Sequence, residues 1–481
     1  MNEERLISAR LKKPVRTTLV IISGLVIGTL SALLQFNLFL ITSGIFLILV
    51  FIHWKNVNKF AYLLLIMIVF QNFFAIILSG LNRPFFVTLL ISIKELYVYT
   101  CILLFSLLKK RDRSKKLNMI NWISYTYLFC ILFYFIWPDQ PDLFVKGVSG
   151  RQLIMPVILY LFGYYVVSCK DKLLYFYIKI SLLIVSFGFI ETWVLGDKFW
   201  ISLGIKSYME NKGMSLWAYG TQGLPGNFYT FDFSSFIGTS LRRMVSFIAD
   251  PTLLGQFLVI PVLYSILGDF YKKSRIRKLF YMTFLTTGLV MTLSKGGLLS
   301  VAIGILFCLI FQKNRSSQLV GLFISYILFF FVLFIFSNYQ KFASLPAHIN
   351  GLVSNLAAIV RHPFGSGLGR SGNFANLYNE RANSMNMNAG ESYIGTMVGQ
   401  TGLVVTALFL VFIALIISGL LKQYKEGHEK NSLILAGALS GTVMVSFLSE
   451  SAISFISSGF IFVMAGAYLS ERNVNIRRDY H

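Results

Sequence analysis

Apolar runs of about eighteen or more residues recur from one end of this chain to the other, and each is long enough to cross a hydrocarbon core of roughly 30 Å as a helix. A spanning helix satisfies its own backbone hydrogen bonds, which lipid cannot do, so such runs admit very few folds. Composition agrees: 56% of the 481 residues are hydrophobic and only 13% are charged, well outside the range of a water-soluble globular chain. The expected fold is all-α, a polytopic integral membrane protein forming one transmembrane domain over 1–481, with about fourteen transmembrane helices. By number, the predicted spans are 17–34, 38–52, 60–79, 84–108, 119–137, 153–167, 173–195, 252–267, 279–293, 298–311, 319–336, 392–420, 433–447 and 453–469. The division between the ninth and tenth, around SKGG, rests on the weakest signal.

A net charge of +23 raises nucleic-acid binding as a possibility, but the Lys and Arg residues are gathered into short blocks between apolar runs. Blocks of that kind report orientation, because short cytoplasmic loops hold an excess of Lys and Arg. With the basic N-terminal tail inside, alternation puts KKRDRSKK at 109–116, Lys170 and Lys172, YKKSRIRK at 271–278, QKNR at 312–315, KQYKEGHEK at 422–430 and the C-terminal arginines inside as well. Both termini are therefore expected in the cytoplasm, with no nucleic-acid partner. The basic start leads into a full-length apolar run with no small-residue cleavage site, so the first helix is expected to stay as an anchor. Cys101, Cys130, Cys169 and Cys308 fall in or beside apolar runs, which leaves no disulfide framework for outer loops and no zinc site to expect. The same threading leaves two long outer segments, 196–251 and 337–391. With every other connection short, function is expected there.

Ionisable residues inside spans are costly and few. Lys94 and Glu95 in SIKELYVY read as a neutralising pair that fixes helix packing. Glu191, near the outer end of the seventh span, either faces a protein interior or wet cavity or is an interfacial residue, and Lys179 is placed to snorkel. Basic residues at outer mouths run against the orientation rule, so Arg151, Arg242, Arg243, Lys295, Arg361 and Arg370 call for another cause. Arginine forks match phosphate oxygens, and several together would clamp a pyrophosphate. Alternatively each binds a lipid headgroup or a local carboxylate such as Asp250.

In RHPFGSGLGRSG at 361–372, glycines at alternate positions open backbone conformations that other residues avoid and let amides approach an anion. A dinucleotide loop is excluded, since no strand-then-helix unit surrounds it. The other reading is a tight turn where the loop re-enters the membrane. His362 is a general base or a hydrogen-bonding turn residue. Glu391, at the entry to the twelfth span, is a general base for a sugar hydroxyl if burial raises its pKa, or the partner of one of the arginines.

Four stretches, RQLIMPVILYLFGY (151–164), RRMVSFIADPTLLGQFL (242–258), MTLSKGG (291–297), and RHPFGSGLG with ESYIGTMVGQTGL (361–403), together resemble the bacterial O-antigen polymerase and ligase superfamily (Wzy and WaaL type). The resemblance implies a metal-independent, cofactor-free glycosyltransferase of the bacterial cytoplasmic (inner) membrane that makes capsule or O-antigen. Its substrates would be glycans linked to undecaprenyl pyrophosphate, met at the outer face among membrane lipids. A flippase and a chain-length regulator would be its neighbours in that work. It also implies that Arg151, Arg242, Arg361 and Arg370 hold the pyrophosphate leaving group, with Glu391 or His362 aiding the acceptor hydroxyl. Ligase-like members carry a His-Asn pair where this chain has Gly390 and Glu391, which favours polymerase. Lys295 stands where the family often shows Arg. A flippase or other transporter of lipid-linked sugars is the alternative from a different class, but such exporters show two similar halves and short loops on both sides.

Overall fold

A computed structural model describes residues 58–108, 119–136, 143–167, 169–211, 224–230, 238–269, 274–312, 316, 318–321, 323, 345–372, 391–427 and 429–478. The expected first two spans, the 109–116 block, most of the eleventh span and residues 373–390 of the second long segment lie outside the described residues. Helices make up most of what is described: α1 (Asn58–Gly80), α2 (Pro84–Leu108), α3 (Met119–Ile136), α4 (Leu143–Val166), α5 (Lys170–Ile190), α6 (Gly196–Leu203), α7 (Ile205–Asn211), α8 (Pro251–Phe257), α9 (Val259–Leu267), α10 (Arg275–Met291), α11 (Lys295–Phe311), α12 (Leu345–Ala358), α13 (Tyr393–Gly427), α14 (Lys430–Ser446) and α15 (Gly459–Arg478). Among the described residues four helices are long and apolar enough to cross a membrane: Lys59–Gly80, Met119–Ile136, Lys170–Leu203 and Tyr393–Gly427.

The helix limits follow local chemistry. Asp250 caps α8 by accepting from the backbone N–H of Thr252 (2.8 Å) and Leu253 (3.0 Å), and Pro251 follows at the first helical position, where its missing N–H costs nothing. Ser294 caps α11 through Gly297 N–H at 3.2 Å, so the SKGG division is a true break. At Ile453 the expectation shifts: 453–458 is irregular and α15 begins at Gly459. The seventh run continues past 195, because a π turn (Glu191–Leu195) carries α5 into α6.

Several helix faces are apolar yet exposed. On α3, Phe129 is 71% and Ile136 83% exposed, a surface suited to lipid rather than water. Inside, helices meet backbone to backbone at small residues. A β-carbon on Gly163 of α4 would lie 1.9 Å from the Val463 carbonyl oxygen of α15, and one on Gly466 would lie 2.0 Å from that of Tyr160. Gly441 of α14 sits equally close to Ser300 of α11.

The long helices alternate between two poles. At one pole Lys170 pairs with Glu429 (2.5 Å) and Lys430 with Asp269 (3.3 Å), while Tyr264 donates to the Asn431 carbonyl (2.7 Å). The ends of α4, α9 and α13 and the starts of α5 and α14 therefore meet at this lysine pole. Their opposite ends meet at a second, loop-bearing pole. There Tyr134 donates to the Phe364 carbonyl (2.6 Å), Tyr393 to that of Gln152 (3.4 Å), and Ser300 to Gln256 Oε1 (3.1 Å).

Candidate functional site

The loop-bearing pole is built around a break in α13. Gly402 leaves helical geometry with φ +72°, which strips Gly399 and Gln400 of their usual helical donors. The glycine-rich loop supplies replacements: Ser366 N–H donates to Gly399 O (2.8 Å), Gly367 N–H to Gln400 O (3.0 Å), and Leu403 N–H turns to Pro363 O (3.2 Å). Gly365 (φ +80°) and Gly402 touch across this joint. A β-carbon on Gly365 would lie 2.4 Å from Gln400 O, and one on Gly402 2.4 Å from Pro363 O. These loop amides are thus spent on the helix break, which is the turn role for RHPFGSG. Beyond it, Ser371 donates to Asn355 Oδ1 of α12 (2.6 Å), and Gln400 Nε2 donates to Ser371 O (2.6 Å). The loop's distal half, Leu368 to Gly372, is thereby held against α12 and α13.

The first long segment is anchored by a fully buried carboxylate. Glu191, in the π turn, accepts from Trp200 Nε1 (2.8 Å), Val245 N–H (2.9 Å), Ser246 N–H (3.3 Å) and Thr192 Oγ1 (3.1 Å), and pairs with Arg242 Nη2 at 3.1 Å. A second carboxylate, Asp197, takes Arg242 Nε at 2.8 Å, and the guanidinium lies 4.9 Å from the centre of the Phe228 ring. Tyr229 also donates to Asp197; burial first, then that carboxylate, pushes its phenol up to about 12. Arg242 therefore stands between two carboxylates. Its neighbour Arg243, buried, donates to the carbonyls of Thr292 (2.9 Å), Leu293 (3.4 Å) and Asn227 (3.3 Å), tying this segment to the turn before α11. Asp250, offered by the sequence as an arginine partner, is occupied as a helix cap.

The remaining expected residues divide by position. Arg151 pairs with Glu95 at 3.3 Å through one nitrogen and keeps 39% of its side chain exposed. Glu95, expected to neutralise its neighbour Lys94, thus reaches a residue of another helix, α4. Lys94 is buried with its ammonium 5.0 Å from the centre of the Phe455 ring. Lys179, exposed, lies 4.5 Å from the centre of the Tyr175 ring one turn nearer the lysine pole. Lys295 is exposed at the start of α11, and Arg370 is half-buried in the loop's distal half. Arg361 and His362 are exposed in the turn ahead of the helix break. Glu391, 49% exposed, lies 3.0 Å from His348 Nδ1, and among the described residues it forms no ion pair with an arginine.

What the structure gathers most tightly includes residues the sequence reading passed over. Glu450, only 6% exposed in a turn between α14 and α15, accepts from Gln152 Nε2 at 3.1 Å, next to Arg151. A β-carbon on Gly372 would lie 3.2 Å from the same carboxylate oxygen and 2.8 Å from Thr396 Oγ1. The signal available in the sequence was an acid inside an otherwise uncharged short connection. Ends of four segments distant in sequence (Arg151–Gln152, the loop to Gly372, Tyr393–Thr396, and Glu450) therefore share one spot. Gln256 and the SKGG turn adjoin it: a β-carbon on Gly296 would lie 2.9 Å from Gln256 Nε2 and 3.1 Å from Val445 in the last turn of α14. No family model matches the chain, and no curated protein matches it either.

Proposed function

We propose that this chain is a bacterial cytoplasmic-membrane glycosyltransferase, a polymerase that joins oligosaccharide repeat units carried on undecaprenyl pyrophosphate at the outer face. It would make capsule or O-antigen as a member of the O-antigen polymerase and ligase superfamily. The observation that carries the reading is the meeting, at one pole, of the four separated stretches that bear the resemblance. In this reading the pole opposite the lysines is the outer mouth. The placing of Lys and Arg blocks along the sequence is what supports a threading of about fourteen spans with both termini inside. Arg151, Arg370 and Arg361 would face the diphosphate and stabilise it as it departs, which is electrostatic catalysis by prepositioned cations. Arg242 and Arg243, committed to buried acids and carbonyls, would hold the first loop in shape.

Deleting the gene in its host and resolving the surface polysaccharide on a gel tests this. The ladder should collapse to a single repeat unit on its carrier or anchor. Long untransferred lipid-linked polymer would instead mark a ligase, and repeat units trapped in the cytoplasmic leaflet a flippase. An unchanged ladder would overturn all three.

A further inference from the structure

The apolar run of α5 ends on a patch that no other described part of the chain covers. From Lys170 to Trp193 the helix climbs about 34 Å, just past a hydrocarbon core of roughly 30 Å. There, in the π turn, Trp193 is 66% and Val194 76% exposed, although Glu191 in the same turn is fully buried. Gly196 then takes φ +64° and ψ −166°, a conformation that glycine adopts at ease, so α6 does not continue along the axis of α5. One face of α6 packs inward: Trp200 is buried, and Phe199 stacks on Phe73 of α1. The opposite face presents Lys198 and Ile201 to the outside.

A second helix fixes the same level independently. α1 runs beside α5 in the same direction, since Tyr62 packs on Phe176 and Phe73 on Phe187. It rises about 32 Å from Lys59 to its end at Gly80, where a β-carbon would lie 2.4 Å from the Leu203 carbonyl oxygen at the end of α6. Leu81 and Arg83, just beyond Gly80, are exposed. Arg83, Lys198 and Lys206 are all exposed and form no ion pair among the described residues, not even Lys206 with Glu210 one turn on. Cations at this pole run against the charge rule for short loops, so they call for an anion.

We infer that this patch seats in the headgroup layer of the bilayer at the loop-bearing pole, with Trp193, Val194, Ile201 and Leu81 in the upper acyl chains and Arg83, Lys198 and Lys206 on anionic lipid phosphates. The inference rests on the membrane threading above and not on the polymer chemistry. A tryptophan at the end of a span has an apolar body and an N–H for the wet side, the composition of an interfacial belt. Lysine and arginine stems lie along apolar surface while their charges reach phosphate. The level favours lipid over a protein partner, because the patch lies where hydrocarbon ends and headgroups begin. Glu191 and Asp197, which hold Arg242, lie on either side of Trp193 in the chain, so the same contact sets the height of the first long segment over the membrane.

The test reconstitutes the full chain, its four cysteines replaced, in vesicles of phosphatidylcholine and phosphatidylglycerol. Val194→Cys, Ile201→Cys and, as a mid-span reference, Phe129→Cys on α3 each carry a small fluorophore, which lipids with a nitroxide near the headgroup or near the chain end can quench. Labels at 194 and 201 should be quenched about twofold more by the shallow nitroxide, as for groups about 5–10 Å deep, and the label at 129 more by the deep one. A shallow nitroxide on phosphatidylglycerol should quench the label at 201 about fivefold more than one on phosphatidylcholine. Combining Arg83→Glu, Lys198→Glu and Lys206→Glu should erase that preference. Should the cysteine-free chain fail to fold, the wild-type chain carries the test: Trp193→Leu should lower the share of tryptophan emission that shallow brominated lipid quenches, and an unchanged share overturns the inference. No lipid quenching at 194 and 201 with the label at 129 quenched, or an equal response to the two headgroups, also overturns it and leaves the threading standing. Absence of quenching at 129 as well would overturn the membrane reading itself.

Discussion

Arginines at the loop-bearing pole have two kinds of surroundings, enclosed by carboxylates or exposed. Arg242 is enclosed with Glu191 and Asp197, and removing one member of a buried pair leaves the other charge without compensation, at a cost of about 3–5 kcal/mol. Arg242→Ala and Glu191→Ala are therefore expected to lower the melting temperature and cellular abundance of the protein sharply, measured by fluorescence size-exclusion after heating. For Glu191 the loss includes the indole and two backbone N–H groups it accepts from. Arg361 is exposed and makes no ion pair among the described residues, so Arg361→Ala should change stability by less than about 0.5 kcal/mol. A loss of polymer in that variant would then report on the site and not on folding. If Arg242→Ala kept full abundance, the structural role given to it here would be wrong.

Among the elements, the pairing of α4 with α15 depends most on small residues. Gly163 and Gly466 let the two backbones touch, a contact driven by packing because lipid gives helices no hydrophobic reason to associate. Replacing either with alanine forces a methyl group into a carbonyl oxygen, and overpacking of this kind costs about 1–3 kcal/mol. Gly163→Ala and Gly466→Ala should each lower the melting temperature in detergent. The double variant should cost less than the sum of the two, since one separation of the helices relieves both clashes. Strict additivity would argue against a shared contact. The joint between the glycine loop and α13 follows the same logic in hydrogen bonds: the loop's amides complete carbonyls that the break at Gly402 leaves open, so the break and the loop need each other.

For the molecule as a whole, the two poles make a directional statement that chemistry can check. In a variant with its four cysteines replaced, Val360→Cys, 88% exposed beside the loop-bearing pole, should react in intact spheroplasts with a maleimide that does not cross membranes. Gly427→Cys, exposed at the lysine pole, should react only after the cells are opened. Labelling of both from one side would contradict the threading.

Helix positions were legible in the linear chain because the signal is local. Apolar runs, the Asp250–Pro251 cap and the Ser294 cap each act over a few residues, and the grouping of Lys and Arg anticipated which helix ends would meet. The π turn at Glu191–Leu195 was not legible, since it owes its acid to partners fifty residues away. Nor was the role of the RHPFGSGLGRSG glycines, where loop and helix break complement each other over more than thirty residues. The chain by itself thus determined its solvent, its secondary structure and the set of charged groups available to it. Only the tertiary structure decided which of those charges are consumed, pairing Arg242 with Glu191 and setting Glu450 opposite Gly372. The physical reason is that a side chain's charge is a property of the residue, whereas its burial and its partners belong to segments that meet only when the helices pack.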